Sequence, residues 1–443
     1  MRRRDFMKVA TAGTAAFSIT PLYGLEKIPK GQIVKDRKVN LACVGIGGQG
    51  KRDIGNFTSE NIVAVCDVDL ARGAESFKKF SSARKYRDYR KMIAEMGDEI
   101  DAVTVTTPDH MHFPIAMEAI RHGKHVFVQK PLTHTVWEAR ELTKAARKHE
   151  VITQMGNQGH AREGIRLVNE WVHAGAIGEV REAHIWTDRP RTSGPWAWPQ
   201  GVDRPTDTPP VPKELDWNLW VGSSKDRPYH PLYAPFKWRG WWDFGCCALG
   251  DMGCHMMDAA YWALDLKYPT AVSAESSGVN NETGPNWSII TYEFPARGDK
   301  PPVKLVWYDG GKRPDRPKEL EAKRKFPKVG QLLFGSKGVI MDGTDYCNSP
   351  RLIPETAMKA LKRPEKTIPR VPKGNHYMEW INAIKGGPKP GSNFDYAGPF
   401  SEVVLMGNLA LRVGKRVEWD GEKMRCTNVP EANQYVTKKY RAF

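Results

Sequence analysis

Residues 39–57 read VNLACVGIGGQGKRDIGNF. An apolar run short enough for a buried strand gives way to Gly45-Ile46-Gly47-Gly48-Gln49-Gly50, after which the pattern turns helical. The loop is G-x-G-x-x-G between a strand and a helix. There Gly45 permits the tight turn, Gly47 lets a pyrophosphate approach the backbone, and Gly50 lets helix and strand pack closely. Alone, this pattern is a weak signal. The next apolar run, IVAVCDVD, reaches Asp67 twenty residues after Gly47, where an acid that hydrogen-bonds a ribose belongs. The two together read as a dinucleotide-binding βαβ unit.

The alternation continues outward from that unit. AVTVTTP (102–108) is a strand, and HFPIAMEAIRHG is a helix stopped at Gly123. HVFVQK (125–130) is a strand, Thr135 and Glu138 form a capping box for a helix over 136–149, and VITQM (151–155) closes the series. Strands and helices alternating through short connections give an α/β fold with a doubly wound parallel sheet. Ligands bind beyond the carboxyl ends of such strands. Residues 45–50, Asp67, the stretch from Thr106 and Thr107 to His112, and Gln129-Lys130-Pro131 therefore line one cleft, with Ile46 in its glycine loop. Lys130 precedes a proline, so its backbone is extended and its ammonium projects past the sheet edge.

The 443 residues allow two or three domains. The expected division is a leader over 1–35, the dinucleotide domain over 36–155, and a second α/β domain over 156–443. The apolar share is 40% with no run of eighteen apolar residues, so no membrane span is expected. Part of the net charge of +16 sits in residues 1–38, with nine Lys/Arg against three Asp/Glu. Arg3-Arg4-Asp5-Phe6-Met7-Lys8 fits the twin-arginine export core, which places the protein in the periplasm or outside. A second basic excess at 297–328 is rich in Pro and Gly and lacks interleaved stacking aromatics; it reads as a solvated loop, and no nucleic-acid partner is expected. Seven cysteines without regular spacing do not describe a disulfide scaffold.

Residues 250–258, GDMGCHMMD, carry the chemistry of the second domain. Asp251 and His255 share a helix face at i, i+4. A carboxylate beside an imidazole orients it and raises its basicity, which suits a general base. Helix capping with a buried, satisfied histidine is the competing reading, and Cys254 with its neighbours offers metal-ligand types; no metal is expected.

GIGGQG, TTPDHMHFPIAMEAIRHGKHVFVQKPLT and the D-x-x-x-H of Asp251 and His255 resemble the three hallmark segments of the Gfo/Idh/MocA family of sugar and polyol oxidoreductases, in the same order. The resemblance covers essentially the whole chain after the leader. It implies an N-terminal Rossmann domain, a C-terminal α/β domain with an open, mostly antiparallel sheet, and a site between them. That site would hold a lysine, an aspartate and a histidine around the reacting carbon. The usual E-K-P of the family is here Gln129-Lys130-Pro131, which leaves the lysine without a neighbouring carboxylate.

The stretch 186–245 holds eight of the fifteen tryptophans and many prolines, and reads as a long ordered loop. Most of its rings should pin the loop, with one or two left for a sugar face. Arg239 and Trp242 lie nearest Asp251 in sequence and are the expected substrate contacts. Asn157 and His160 follow the last parallel strand, where they either reach nicotinamide or substrate, or serve as hinge and cap. QLLFGSKGVIMDGT reads as a hairpin, and FSEVVLMGNLALRVG as an amphipathic helix that packs back on the first domain. The expected function is hydride transfer between a carbohydrate hydroxyl carbon and NAD, in preference to NADP, by a homo-oligomer. Lys130, Asp251 and His255 do the chemistry. Because exported protein meets little free dinucleotide, the cofactor should be tightly retained. The alternatives are redox-neutral cleavage of a glycoside by oxidation and elimination, and a non-catalytic sugar sensor.

Overall fold

A computed structural model describes residues 28–443. The twin-arginine motif and most of the leader lie outside the described residues. The chain is tied down before position 35, however. Gly31 N–H donates to the His149 carbonyl and Val34 N–H to that of Ile384, and Val34 is buried.

Six parallel strands form the first sheet: β1 (Asn40–Val44), β2 (Asn61–Cys66), β3 (Arg84–Tyr86), β4 (Ala102–Val105), β5 (His125–Val128) and β6 (Thr153–Met155). Their order is β3-β2-β1-β4-β5-β6. The strand order reverses between β1 and β4, which opens a ligand crevice at their carboxyl ends. β4 and β5 are buried at every position, because helices cover both faces of a parallel sheet. The helix Val136–Lys148 starts on the expected capping box, with Glu138 N–H bonding Thr135 Oγ1 and Thr135 N–H bonding Glu138 Oε2. His112–Arg121 stops ahead of Gly123, whose φ of 70° suits glycine.

The second sheet is open and nine-stranded. It contains β7 (Val180–Trp186), β8 (Ala271–Ser276), β9 (Ser288–Phe294), β10 (Val303–Tyr308), β11 (Gly330–Gly335), β12 (Gly338–Asp342), β13 (Arg351–Ile353), β14 (Val417–Asp420) and β15 (Arg425–Cys426). The order is β13-β12-β11-β7-β10-β9-β8-β14-β15, and only β10 with β7 runs parallel. β11 and β12 are the expected hairpin. β9 alternates buried and half-buried residues along its length, the period-2 pattern of a sheet with one covered face.

Two later helices join the halves. His376–Ile384 inserts Trp380, Ile381 and Ile384 into the core of the first sheet, beside Leu41, Cys43 and Phe127. Phe394–Val413 lies between the helix Val136–Lys148 and the second sheet, and it is buried on both sides rather than on one stripe. Arg140 forks onto Glu402 at 2.7 and 2.6 Å, and Tyr292 Oη donates to the Val404 carbonyl. Apolar burial of this kind is worth roughly 1.5–3 kcal/mol for each large side chain, which fixes the angle of the crevice between the sheets. All seven cysteines are free and buried.

Candidate active site

The glycine loop leaves β1 with Gly45 at φ 76°, and a Cβ on Gly50 would lie 1.8 Å from the Gly45 carbonyl oxygen. No other residue fits there, so helix and turn meet backbone to backbone. Gly50 is packing rather than cleft wall, and the Ile46 side chain is buried in the core. Asp67 directly follows β2, where it was expected, but its carboxylate is already engaged. Oδ2 accepts the amides of Ile46 (2.9 Å) and Gly47 (3.1 Å), and Oδ1 accepts that of Asp69 (3.0 Å). The acid thus fixes the glycine loop as well as bordering the cleft.

Gln129 does not leave a gap where a glutamate would stand. Its Nε2 donates to Asp53 Oδ2 at 2.8 Å, and Asp53 also takes hydrogen bonds from Thr106 Oγ1, Gln49 Nε2 and Tyr377 Oη. A glutamate here would set two buried carboxylates against each other; the amide supplies a donor instead. Lys130 finds its carboxylate elsewhere. Its Nζ donates to Asp251 Oδ1 (2.9 Å) and to the Asp251 carbonyl (2.7 Å). Arg239 Nε reaches the same Oδ1 at 3.2 Å.

That arrangement corrects one expectation. The sequence pairs Asp251 with His255, yet the structure gives Asp251 to Lys130 and Arg239, and His255 Nδ1 is buried with no hydrogen-bond partner. Burial alone would raise the Asp251 carboxyl, but Lys130 and Arg239 outweigh it and hold it well below the usual range. Burial and then the Lys130 charge push His255 well below its ordinary value, against a weaker pull from Asp251. Its basicity is therefore lowered, not raised. The result is an uncharged imidazole with a free nitrogen, edge-on to Tyr346 at 4.8 Å between ring centroids.

These groups share one cavity of about 530 Å³ that runs from Gly45, Gly47 and Asp67 past Thr106, Thr107 and Gln129 to Lys130, Arg239, Asp251 and His255. Thr107 Oγ1 is buried there without a partner. A glycine cradle and an orphaned hydroxyl in a cleft at the sheet's switch point fit a dinucleotide. Four rings of the insert, Trp196, Trp198, Trp220 and Trp238, border the same cavity, more than the one or two expected.

Other expected contacts lie elsewhere. His112 is behind the wall, its ring nitrogens facing the carbonyls of Pro131 (2.8 Å) and Thr107 (2.9 Å). Asn157 and His160 are buried around Asp258, at 3.0 and 3.1 Å, with Trp262 stacked on the histidine; of the two readings left open, they match the structural one. Trp242 caps its N–H on the Asn280 carbonyl and borders a different cavity, because sequence neighbours on a loop face different ways. Sequence reasoning missed Asp109. It borders the catalytic end, accepts the Cys246 amide at 3.0 Å, and burial pushes its carboxyl up to about 7 despite Arg239 and Lys130 nearby. The signal available was its place in TTPDHMH, just beyond a strand's carboxyl end.

Among the described residues, no group of three His, Cys, Asp or Glu could hold a metal ion, and no helix is long and apolar enough to cross a membrane. The fold and cleft define a dinucleotide-binding α/β protein. Residues 39–157 match the NAD-binding Rossmann domain of the Gfo/Idh/MocA oxidoreductase family, and residues 192–300 match the family's C-terminal alpha/beta domain. The chain belongs to that family and carries its NAD-binding domain. A glycosyl hydrolase family 109 protein of Shewanella pealeana is 29% identical over 207 residues, which is 41% of this chain and 44% of that protein. The chain thus spans less than half the length of the curated relatives it matches. Among solved structures, the WlbA dehydrogenase from Chromobacterium violaceum, in complex with NADH and UDP-GlcNAcA, superposes with a TM-score of 0.61 at 19% identity, covering 90% of this chain and 99% of that one. A levoglucosan dehydrogenase in complex with NADH and levoglucosan gives 0.57 at 16%, covering 86% and 99%. These likenesses establish the fold.

Proposed function

We propose that the protein oxidises and reduces a hydroxyl-bearing carbon of a carbohydrate. The observation that carries this reading is an uncharged His255 beside Lys130 in the lining of the cavity that begins at the dinucleotide cradle. NAD, when bound, supplies the hydride acceptor. His255 takes the hydroxyl proton as the hydride leaves the same carbon. The Lys130 ammonium, held by Asp251, faces the oxygen that gains charge. Arg239 and the tryptophan wall supply a polar fork and flat apolar faces, the contacts a sugar ring needs. A positioned base is worth roughly 10²–10⁴ in rate, so His255→Ala should lose that much while retaining NAD. Equal turnover by His255→Ala on a substrate the wild type accepts would end the assignment.

A second reading, redox-neutral glycoside cleavage, is favoured by Asp109. In it, oxidation acidifies the neighbouring C–H, a base removes that proton, and the glycosidic oxygen leaves with a proton from the Asp109 carboxyl. Water then adds to the double bond and the hydride returns, so that glycoside and water give sugar and alcohol. The names of the curated relatives point the same way. Aryl glycosides in deuterated water distinguish the two. Cleavage puts deuterium on the carbon next to the oxidised one and releases the phenol without net reduced cofactor; simple oxidation releases none.

The export reading rests on Arg3-Arg4-Asp5-Phe6-Met7-Lys8, and cell fractionation tests it. With export goes cofactor retention, for which Trp196 and Phe236 of the insert form a wall against the cleft. Loss of bound dinucleotide within minutes of dialysis would refute it.

A further inference from the structure

A second cavity, of about 390 Å³, opens at the N-terminal end of the helix that carries Asp251 and His255. It is bordered by Cys246, the residue before that helix, and by Asn408 and Arg412 from Phe394–Val413. Asn408 and Arg412 are four apart and present one helical face to it. Asn408 Nδ2 donates to the Cys246 carbonyl at 3.2 Å, but its Oδ1 is buried with no partner. Arg412 lies over the rings of Tyr435 (3.8 Å to the centroid) and Trp242 (5.1 Å) and has no carboxylate partner among the described residues. Lys225 and Lys439 border the same space, likewise without ion pairs there. The one carboxylate in the lining, Asp243, is taken by Arg227.

An inward guanidinium without an anion and a buried acceptor without a donor are both costly. A single ligand relieves both if it carries an anionic fork for Arg412 and a hydroxyl for Asn408 Oδ1. The volume lies in the range of small-molecule sites, and a planar carboxylate matches guanidinium geometry. We propose that this cavity binds a small hydroxylated carboxylate of the sugar-acid class. The site is separate from the dinucleotide cleft and does not depend on how the catalytic groups there act.

The test is calorimetric titration of the full-length, NAD-loaded protein at constant ionic strength with sodium D-gluconate, inorganic phosphate and D-glucose. Gluconate should bind at one saturable site. Losing a charge-assisted fork should weaken it about tenfold or more in Arg412→Met. Thr437→Glu, an exposed change on the cavity rim, should weaken it as well and covers the case in which Arg412→Met misfolds. Lys130→Met should leave the affinity unchanged. The proposal is overturned if gluconate shows no saturable binding by about 10 mM, or if Lys130→Met weakens it while Arg412→Met and Thr437→Glu do not. It is equally overturned if D-glucose or phosphate binds as tightly as gluconate.

Discussion

Replacing Lys130 by Met keeps the aliphatic stem and removes the ammonium, and with it two hydrogen bonds, to Asp251 Oδ1 at 2.9 Å and to the Asp251 carbonyl at 2.7 Å. Breaking a buried pair by deleting one partner costs about 3–5 kcal/mol when nothing else compensates. Here Arg239 still reaches Asp251 Oδ1 at 3.2 Å, so the loss should fall below that range, to about 2–3 kcal/mol of unfolding free energy. The Asp251 carboxyl is depressed in the folded protein. Its stabilising share is therefore present above the ordinary carboxylate pKa and lost as pH falls through the folded value. Lys130→Met should thus lose stability at neutral pH and differ less from wild type in acid. The rate should fall further, because one donor aimed at a developing oxyanion is worth about 10²–10³. The charge of Lys130 is also the second cause, after burial, that keeps His255 uncharged. Without it the imidazole protonates more readily, so the acid limb of kcat/KM must move to higher pH. Urea unfolding, single-turnover hydride transfer and ¹³C-histidine NMR across pH 5–8 read the three effects separately. A variant within about tenfold of the wild-type rate, or one whose acid limb stays in place or moves to lower pH, refutes the reasoning.

Gly50→Ala should abolish dinucleotide binding and lower the melting temperature, since its Cβ would stand 1.8 Å from the Gly45 carbonyl oxygen; NAD titration against tryptophan fluorescence checks it. Asp67→Ser removes the acceptor shared by the Ile46 and Gly47 amides along with the charge that repels a 2′-phosphate. It should weaken NAD by about tenfold or more and narrow the preference over NADP in competition titrations. Trp198→Ala should raise KM for the sugar, whereas Trp242→Phe should leave kcat/KM within about twofold, because only the first ring borders the catalytic cavity.

The parallel sheet was legible because its signals are local. Glycine spacing, period and the Thr135/Glu138 capping box each specify backbone geometry within a few residues. Lys130, Arg239, Asp251 and His255 were legible as cleft residues for a related reason: a strand end and a helix face fix where a side chain starts. Which group each one touches is another matter. The i, i+4 rule put Asp251 beside His255, but it carries no information about a lysine 121 residues away that competes for the carboxylate. A full charge pair in a buried site outbids a neutral imidazole, so the long-range partner wins and the histidine is left unpaired. Asn157 and His160 stayed open between two readings for the same reason, since Asp258 collects both from across the fold. The consequence for chemistry is direct. An imidazole bonded to a carboxylate would be oriented and made more basic by it; His255, without that bond, is neutral and less basic. By binding Lys130 instead, Asp251 keeps the ammonium in place while His255 stays neutral, and the two groups can act on opposite sides of one transfer: the lysine on the oxygen's charge, the histidine on its proton.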